Sequence, residues 1–173
     1  MAAEYALDQE KEKDLNKPLF IAIENIWPEV YGGHPEELKN LVVKSRDAFT
    51  KRLVEKKGYN EDEAKKISEE HIKATLDIGH VNIWKKYFKG TDEEFKEWVN
   101  DQMDDLLKKG VIGHVHVHDN FGYEDQHLTP GQGNTLIEDF VKKLEKHKYK
   151  GKQIVEAGEQ REGEQWRVHP EYW

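Results

Sequence analysis

The chain has 173 residues, a net charge of −8 and no cysteine. This length provides one domain with a substantial core. The lack of cysteine excludes disulfides and thiolate metal ligands, and the acidic balance argues against a nucleic-acid partner. No apolar run of membrane length and no signal peptide is found, so a soluble, cytoplasmic protein without a membrane partner is expected.

Hydrophobic periodicity in the first half of the chain predicts one strand among helices. The predicted elements are a helix at 3–16, a strand at 19–26, and helices at 35–55 and 61–72. Pro18 ends the first helix, and Pro35 occupies a first-turn position of the next. Within the strand, the period of two places Phe20, Ala22 and Glu24 on one face.

The second half predicts three more strands separated by helices. The predicted elements are a strand at 74–80, a short aromatic helix at 83–88, a helix at 91–109, a histidine-rich strand around 113–120, a helix at 135–147 and a strand at 152–156. Capping-box signatures in Thr91 with Glu94, and in Thr135 with Glu138, mark two helix starts. We predict one domain over 1–158, followed by a charged tail at 159–173.

The histidine-rich strand carries the most unusual pattern in the sequence. His114, His116 and His118 alternate with Val115 and Val117, so an extended strand sends the imidazoles to one face and the valines to the other. The valine face can pack under a helix. The imidazole face must then meet water, a carboxylate or a metal.

Each predicted strand has one potential metal ligand near its C-terminal end. These residues are Glu24, Asp77, His116 and Glu156, separated by 53, 39 and 40 residues. Strands that alternate with helices are parallel, and their C-terminal ends form one edge where active sites are built. A single buried aspartate is often only a hydrogen-bonded cap, but four such residues in register favour a divalent metal site. Oxygen and nitrogen ligands suit Mn²⁺, Mg²⁺, Co²⁺ or Zn²⁺.

Further polar residues follow two of these strands. His80 comes three residues after Asp77, and Asp125 and His127 precede a loop with Gly131 and Gly133. Taken singly, each has an ordinary explanation as a loop or surface residue. Together they can contribute to the same edge of the sheet.

The strand ends resemble those of the xylose isomerase-like TIM-barrel superfamily. The matching segments are Ile-Ala-Ile-Glu24-Asn, Leu-Asp77-Ile-Gly-His80, His116-Val-His-Asp119-Asn, Asp125-Gln-His127-Leu-x-Pro-Gly-x-Gly133 and Ile-Val-Glu156. The superfamily includes sugar-phosphate isomerases and epimerases, and apurinic endonucleases of the endonuclease IV type. The resemblance implies that Glu24, Asp77, His116 and Glu156 hold the metal of an epimerase. His80, Asp125 and His127 match positions that add a zinc ion in the endonucleases.

The fold class expected from this resemblance is an α/β half-barrel of the parallel (β/α) TIM-barrel type, with about four βα units. A complete barrel has eight strands, so the chain matches the C-terminal half. Its inward face would be open to water at five positions, which are Phe20, Ala22, Thr75, Ile112 and Ile154. We therefore expect a homo-oligomer, or a missing N-terminal half-barrel that completes the fold.

The function expected is a metal-dependent isomerase or epimerase of a sugar or sugar phosphate, acting through an enediolate. Glu24 and Glu156 would be base and acid, and His80, His118 and Asn120 would contact the substrate. One alternative is a zinc-dependent apurinic endonuclease, favoured by Asp125 and His127 but disfavoured by the negative charge. Another is a non-catalytic half-barrel that binds metal.

Overall fold

The computed structural model describes residues 2–158, in which parallel strands alternate with helices. The elements in chain order are α1 (Ala2–Glu12), β1 (Ile21–Glu24), α2 (Pro35–Lys57), α3 (Glu61–His71), β2 (Ile72–Asp77), α4 (Ile78–Ile83), a 3-10 turn (Trp84–Lys86), α5 (Asp92–Lys108), β3 (Ile112–Val117), α6 (Ile137–Lys146) and β4 (Lys152–Val155). The predicted charged tail at 159–173 lies outside the described residues. None of the helices within 2–158 is long and apolar enough to cross a membrane.

The four strands form one parallel sheet in the order β1-β2-β3-β4. Strands that follow chain order and are joined by helical crossovers are the arrangement of a TIM-barrel segment. Within the described residues, β1 and β4 each pair with one neighbour only, so the sheet is open. The fold is therefore an α/β partial barrel, as the sequence predicts.

The core lies between the helices and the outer face of the sheet. Its helical contributions repeat at three- and four-residue spacing, which is the stripe that an amphipathic helix buries. The buried residues are Leu38, Val42, Phe49 and Leu53 of α2, and Phe95, Val99, Met103 and Leu106 of α5. Val115 and Val117 of β3 join the same cluster. The valine face of the histidine strand is thus packed, as predicted.

The end of β2 differs from the prediction. The strand ends at Asp77 and passes directly into α4, so His80 lies on a helix and not at the exit of a longer strand. Asp77 is the N-cap of this helix, and its Oδ1 accepts hydrogen bonds from the backbone N–H groups of Gly79 (2.8 Å) and His80 (3.2 Å). An aspartate that satisfies these free donors favours a helix start at this position.

Two other predicted helix ends are wrong, and one capping box is confirmed. α1 ends at Glu12, before Asp14 adopts a left-handed φ of 48° that a helix cannot continue through. α6 begins at Ile137 without a side-chain cap, because Thr135 Oγ1 accepts a hydrogen bond from the N–H of Asn120. The capping box that starts α5 is present.

Of the five residues predicted to face water on the inward side, only the three at or beside the edge strands are exposed. Phe20 and Ile154 are 38% and 42% exposed, and Ala22 is also exposed. Thr75 and Ile112 are buried, at 4% and 7% exposure, so their predicted contact with water is wrong. Thr75 lies on β2, which pairs with a strand on each side. Ile112 pairs with Ala74 beside a register shift, and both residues belong to the hydrophobic core cluster, so Ile112 faces the packed side of the sheet and not the inward side.

Candidate metal centre

The structure brings the four predicted strand-end residues together. Glu24, Asp77, His116 and Glu156 each offer a ligand atom, and these atoms all lie within 4.8 Å of one another. His116 Nδ1 is 3.0 Å from Glu24 Oε1 and 3.1 Å from Glu156 Oε1. We refer to these four residues as the first group. Their convergence follows from the parallel register, which aligns Asp77 with His116 and His116 with Ile154.

The members of the first group differ in their access to solvent. The side chain of Asp77 is fully buried, whereas those of Glu24 and Glu156 are 35% and 33% exposed. The two glutamates come from the edge strands and lie on opposite sides of His116. They can therefore reach a molecule in the open mouth, and Asp77 cannot.

A second group lies beside the first. It consists of His80, His118, Asp125 and His127, whose ligand atoms also lie within 4.8 Å of one another. Asp125 is its centre, because its carboxylate oxygens lie 3.2–3.4 Å from the Nε2 atom of each histidine. The sequence predicted three of these residues as a possible second metal site. Three imidazoles with one carboxylate form a donor set that zinc accepts.

Backbone carbonyls orient two of the rings in the second group. Nδ1 of His80 lies 2.7 Å from the carbonyl oxygen of Asn25, and Nδ1 of His127 lies 2.9 Å from that of Glu156. A carbonyl oxygen only accepts, so each Nδ1 must carry the proton. A metal would therefore bind at Nε2 once that atom has lost its proton, which is how ligating histidines are usually fixed.

Asp77 and His118 connect the two groups. Asp77 Oδ1 lies 3.1 Å from His118 Nε2, and both side chains are fully buried. The His118 ring packs directly on Gly79, where an added Cβ would lie 2.2 Å from a ring atom. A side chain at this position would displace the ring, so the glycine is required by the close approach.

The charges of the two groups shift one another's pKa values. Burial opposes ionisation of Asp77, but His118 and His80 outweigh it and lower the pKa of this carboxyl group. Burial opposes protonation of His80, yet its hydrogen bond with Asp125 and the charge of Asp77 raise its pKa to about 9. Opposite charges at this range favour the ionised forms.

Several buried ligand atoms make no well-aligned hydrogen bond. Asp77 Oδ2 makes none, and its ion pair with His80 Nδ1 is 3.8 Å long. His118 Nε2 and Asp125 Oδ1 make none either, although they lie 3.1–3.4 Å from ionisable partners within the two groups. Buried polar atoms are normally paired. In addition, the ion pairs of the first group within residues 2–158 involve histidines and no lysine or arginine. Convergent carboxylates without a lysine or arginine partner, together with the unbonded Asp77 Oδ2, fit a divalent cation.

Two residues predicted to contact the substrate, His118 and Asn120, are buried away from the open mouth of the site. His118 is fully buried and belongs to the second group. Asn120 is also fully buried, and its side chain bonds to Gly79 O, to Gly122 N and to Asn82. The side chain of His80 is 7% exposed, so little of it is open to a substrate.

The sequence analysis missed two residues of this region. Asn25 is buried, and its side chain exchanges hydrogen bonds of 2.8 and 2.9 Å with the backbone of Asp77. It therefore ties the ends of β1 and β2 together, and no pattern in a single sequence marks such a role. His118 as a member of the second group could have been found, since it lies two residues after His116 on the same strand face.

The comparisons with known proteins agree with this architecture. A family model described as xylose isomerase-like TIM barrel matches residues 55–173, which is more than half of the chain. The chain belongs to this family. A crystal structure of a D-tagatose 3-epimerase-like protein matches with a TM-score of 0.52 and 25% identity. The match covers 89% of this chain and 45% of that one, so this member of the xylose isomerase-like family spans less than half of its structural neighbour.

Two uncharacterized proteins of Methanocaldococcus jannaschii also match. MJ1311 is 37% identical over 87 residues, which is 50% of this chain and 26% of the relative. MJ1614 is 34% identical over 76 residues, which is 43% of this chain and 24% of the relative. The matched segments therefore span about a quarter of each relative. At the family level, these findings support a fold of the sugar isomerase and epimerase type.

Proposed function

We propose that this chain is the C-terminal, metal-binding half of an isomerase or epimerase that acts on a sugar or a sugar phosphate. The observation that carries the proposal is the first group, in which two partly exposed glutamates lie on either side of a histidine and a buried aspartate. Its position at the C-terminal edge of a parallel sheet is where this fold builds its active sites.

Proton transfer next to a carbonyl requires a base and an acid that face the substrate. Glu24 ends one edge strand and Glu156 directly follows the other, so one can remove a proton and the other can return it from the opposite side. Asp77 is fully buried, so it does not face the substrate and its role is to hold the cation and orient its neighbours. His116 lies between the glutamates, and its Nδ1 contacts both.

A divalent cation held by Glu24, Asp77, His116 and Glu156 would polarise the substrate carbonyl and stabilise negative charge that develops on its oxygen. The remaining specificity would come from the half of the barrel that lies opposite the open face. That half can be a second copy of this chain or a separate N-terminal half-barrel.

A second candidate function is metal-assisted hydrolysis of a phosphodiester in damaged DNA. The observation that favours it is the second group, which gives the site a further set of ligands beside the first. The net charge of −8 opposes it, because a duplex carries a dense negative charge. We rank it below the isomerase for this reason.

The test uses the chain loaded with Mn²⁺ or Zn²⁺ and follows exchange of a substrate C–H proton with deuterated water by NMR across a panel of ketoses and ketose phosphates. Exchange needs only the proton-transfer step, so it is more sensitive than net conversion. We expect exchange that requires metal and is lost in Glu156→Gln. The control is Glu145→Gln, since Glu145 is an exposed residue of α6.

Cleavage of a duplex with an abasic site is measured in parallel. Metal-dependent cleavage that is lost in His127→Ala, without exchange on any ketose, would replace the isomerase with the nuclease. If the chain binds metal but shows neither activity, alone or in a complex with a complementary half-barrel, it is a non-catalytic metal-binding protein.

A further inference from the structure

The carboxylate of Asp119 is the most heavily hydrogen-bonded side chain near the site. Oδ1 accepts from the N–H groups of Asn120 (2.9 Å) and Thr135 (2.8 Å), and Oδ2 accepts from those of Gly131 (2.9 Å) and Gly133 (2.8 Å). Asp119 is 2% exposed. Its carboxylate thus holds both ends of the loop that leaves β3 and returns to α6.

The backbone of Asp119 holds the middle of the same loop. Its N–H donates to the carbonyl of Leu128 at 2.8 Å, and its own carbonyl accepts from the N–H of Leu128 at 2.8 Å. These two bonds form an isolated antiparallel bridge. We refer to residues 121–134 as the strap loop. Leu128 directly follows His127, so the bridge fixes the position of a second-group histidine.

His127 is held in an unfavourable conformation within this loop. Its φ of 47° is left-handed, which few residues other than glycine adopt. The carbonyl of His127 accepts from the N–H of Gly158 at 2.9 Å, and its Nδ1 donates to the carbonyl of Glu156. Backbone strain of this kind persists only where the surrounding contacts impose it. Asp119 supplies those contacts on one side and the end of β4 supplies them on the other.

We propose that Asp119 is a positioning residue that brings Asp125 and His127 of the strap loop into the second group. Asp119 belongs to neither group of ligand atoms, and each of its carboxylate oxygens is already shared between two N–H donors. It acts by fixing the loop backbone, so that the two side chains meet His80 and His118. The proposal deepens the metal-dependent function above and rests on metal binding at the second group.

Two substitutions separate this role from a general loss of stability. Asp119→Asn keeps the shape of the side chain but turns an amide N–H₂ toward one pair of N–H donors, which breaks their bonds. Gly133→Ala disturbs the same anchor without changing Asp119, because its Cβ would lie 2.4 Å from Asn120 O and 2.5 Å from Asp119 Oδ1. Neither substitution touches a ligand atom.

The controls are one aspartate and one glutamate, both exposed on helices. Asp101→Asn replaces an exposed aspartate of α5 for which no hydrogen bond or ion pair is found among residues 2–158. Glu145→Gln replaces an exposed glutamate of α6. Both controls should behave as the unsubstituted chain.

The experiment measures Zn²⁺ bound per chain by titration and elemental analysis, and amide hydrogen exchange across the strap loop. The unsubstituted chain and both controls should bind two equivalents. In Asp119→Asn and Gly133→Ala, the equivalent of Zn²⁺ at the first group should bind as before, and the affinity for the equivalent at the second group should fall at least tenfold. Amide hydrogen exchange should become faster only in the strap loop. A general loss of stability would instead weaken both equivalents and speed exchange throughout the sheet.

Three results would overturn the proposal. The first is wild-type stoichiometry and loop protection in both variants. The second is equal loss of both equivalents together with global exchange. The third is that the unsubstituted chain binds only one equivalent of Zn²⁺ and that Glu24→Ala abolishes this binding. The proposed function would then still stand, but the second group would hold no metal and the strap loop would have none to position. A different result would refute the proposed function itself. In that case no ion would bind at the first group, while Asp119→Asn would still speed amide hydrogen exchange in the strap loop.

Discussion

Replacing the buried aspartate of the first group tests the metal site most directly. Asn in place of Asp77 keeps an oxygen that can accept from Gly79 and His80, and Asn and Asp are about equally good N-caps. The substitution therefore preserves the start of α4. It removes the negative charge and replaces the unpaired Oδ2 atom with a donor, which a cation cannot use.

The expected effects on stability can be estimated separately without and with metal. Without metal, the variant loses its charged interaction with His118, which costs on the order of 1–3 kcal/mol. With metal at about 100 times its dissociation constant, binding stabilises the native chain by about 2.7 kcal/mol. For a chain of this size, 1 kcal/mol corresponds to roughly 2–4 °C, so the metal-induced rise in Tm should be about 5–11 °C.

The assay is thermal denaturation of the metal-free and Mn²⁺- or Zn²⁺-loaded forms, with Asp101→Asn as the control. Asp77→Asn should have a lower metal-free Tm and should lose the part of the metal-induced rise that comes from the first group. Elemental analysis should show one equivalent fewer than in the control. An undiminished rise in Tm with full stoichiometry would show that Asp77 is not a ligand, and the assignment of the first group would then be wrong.

Two further predictions concern pH and assembly. The pKa of His80 rises from 6.5 to about 9 on folding, so its stabilising charge is fully present below pH 6.5 and is lost as the pH rises through 9. The Tm of the metal-free chain should therefore fall across this range. Zn²⁺ binding at pH 7.5 should release a proton, which can be measured by calorimetry in buffers of different ionisation enthalpy. A Tm that does not change with pH, together with no proton release, would contradict this prediction. The exposed Phe20 and Ile154 predict a dimer or larger assembly, because covering a few hundred Å² of apolar surface contributes several kcal/mol at roughly 25 cal/mol per Å². Light scattering at micromolar concentration checks this, and a monodisperse monomer with a cooperative melt would refute it.

The order of the strands and the residues of the first group could be predicted from the sequence alone. Alternating hydrophobic periods distinguish strands from helices, and parallel strands bring their C-terminal ends to one edge, so Glu24, Asp77, His116 and Glu156 could be placed together from their positions alone. The same period of two fixed the packed valine face of β3.

The way in which the second group is built depends on contacts between distant parts of the chain. His118 and Asp125 are separated by a loop with no periodicity, and their approach depends on the bonds that Asp119 makes to distant backbone groups. The helix start at Asp77 and the lost capping box at Thr135 have the same cause, since a polar side chain bonds to whichever free N–H the folded chain brings near it. Local sequence shows which residues can form such bonds, but the partner is chosen by the fold.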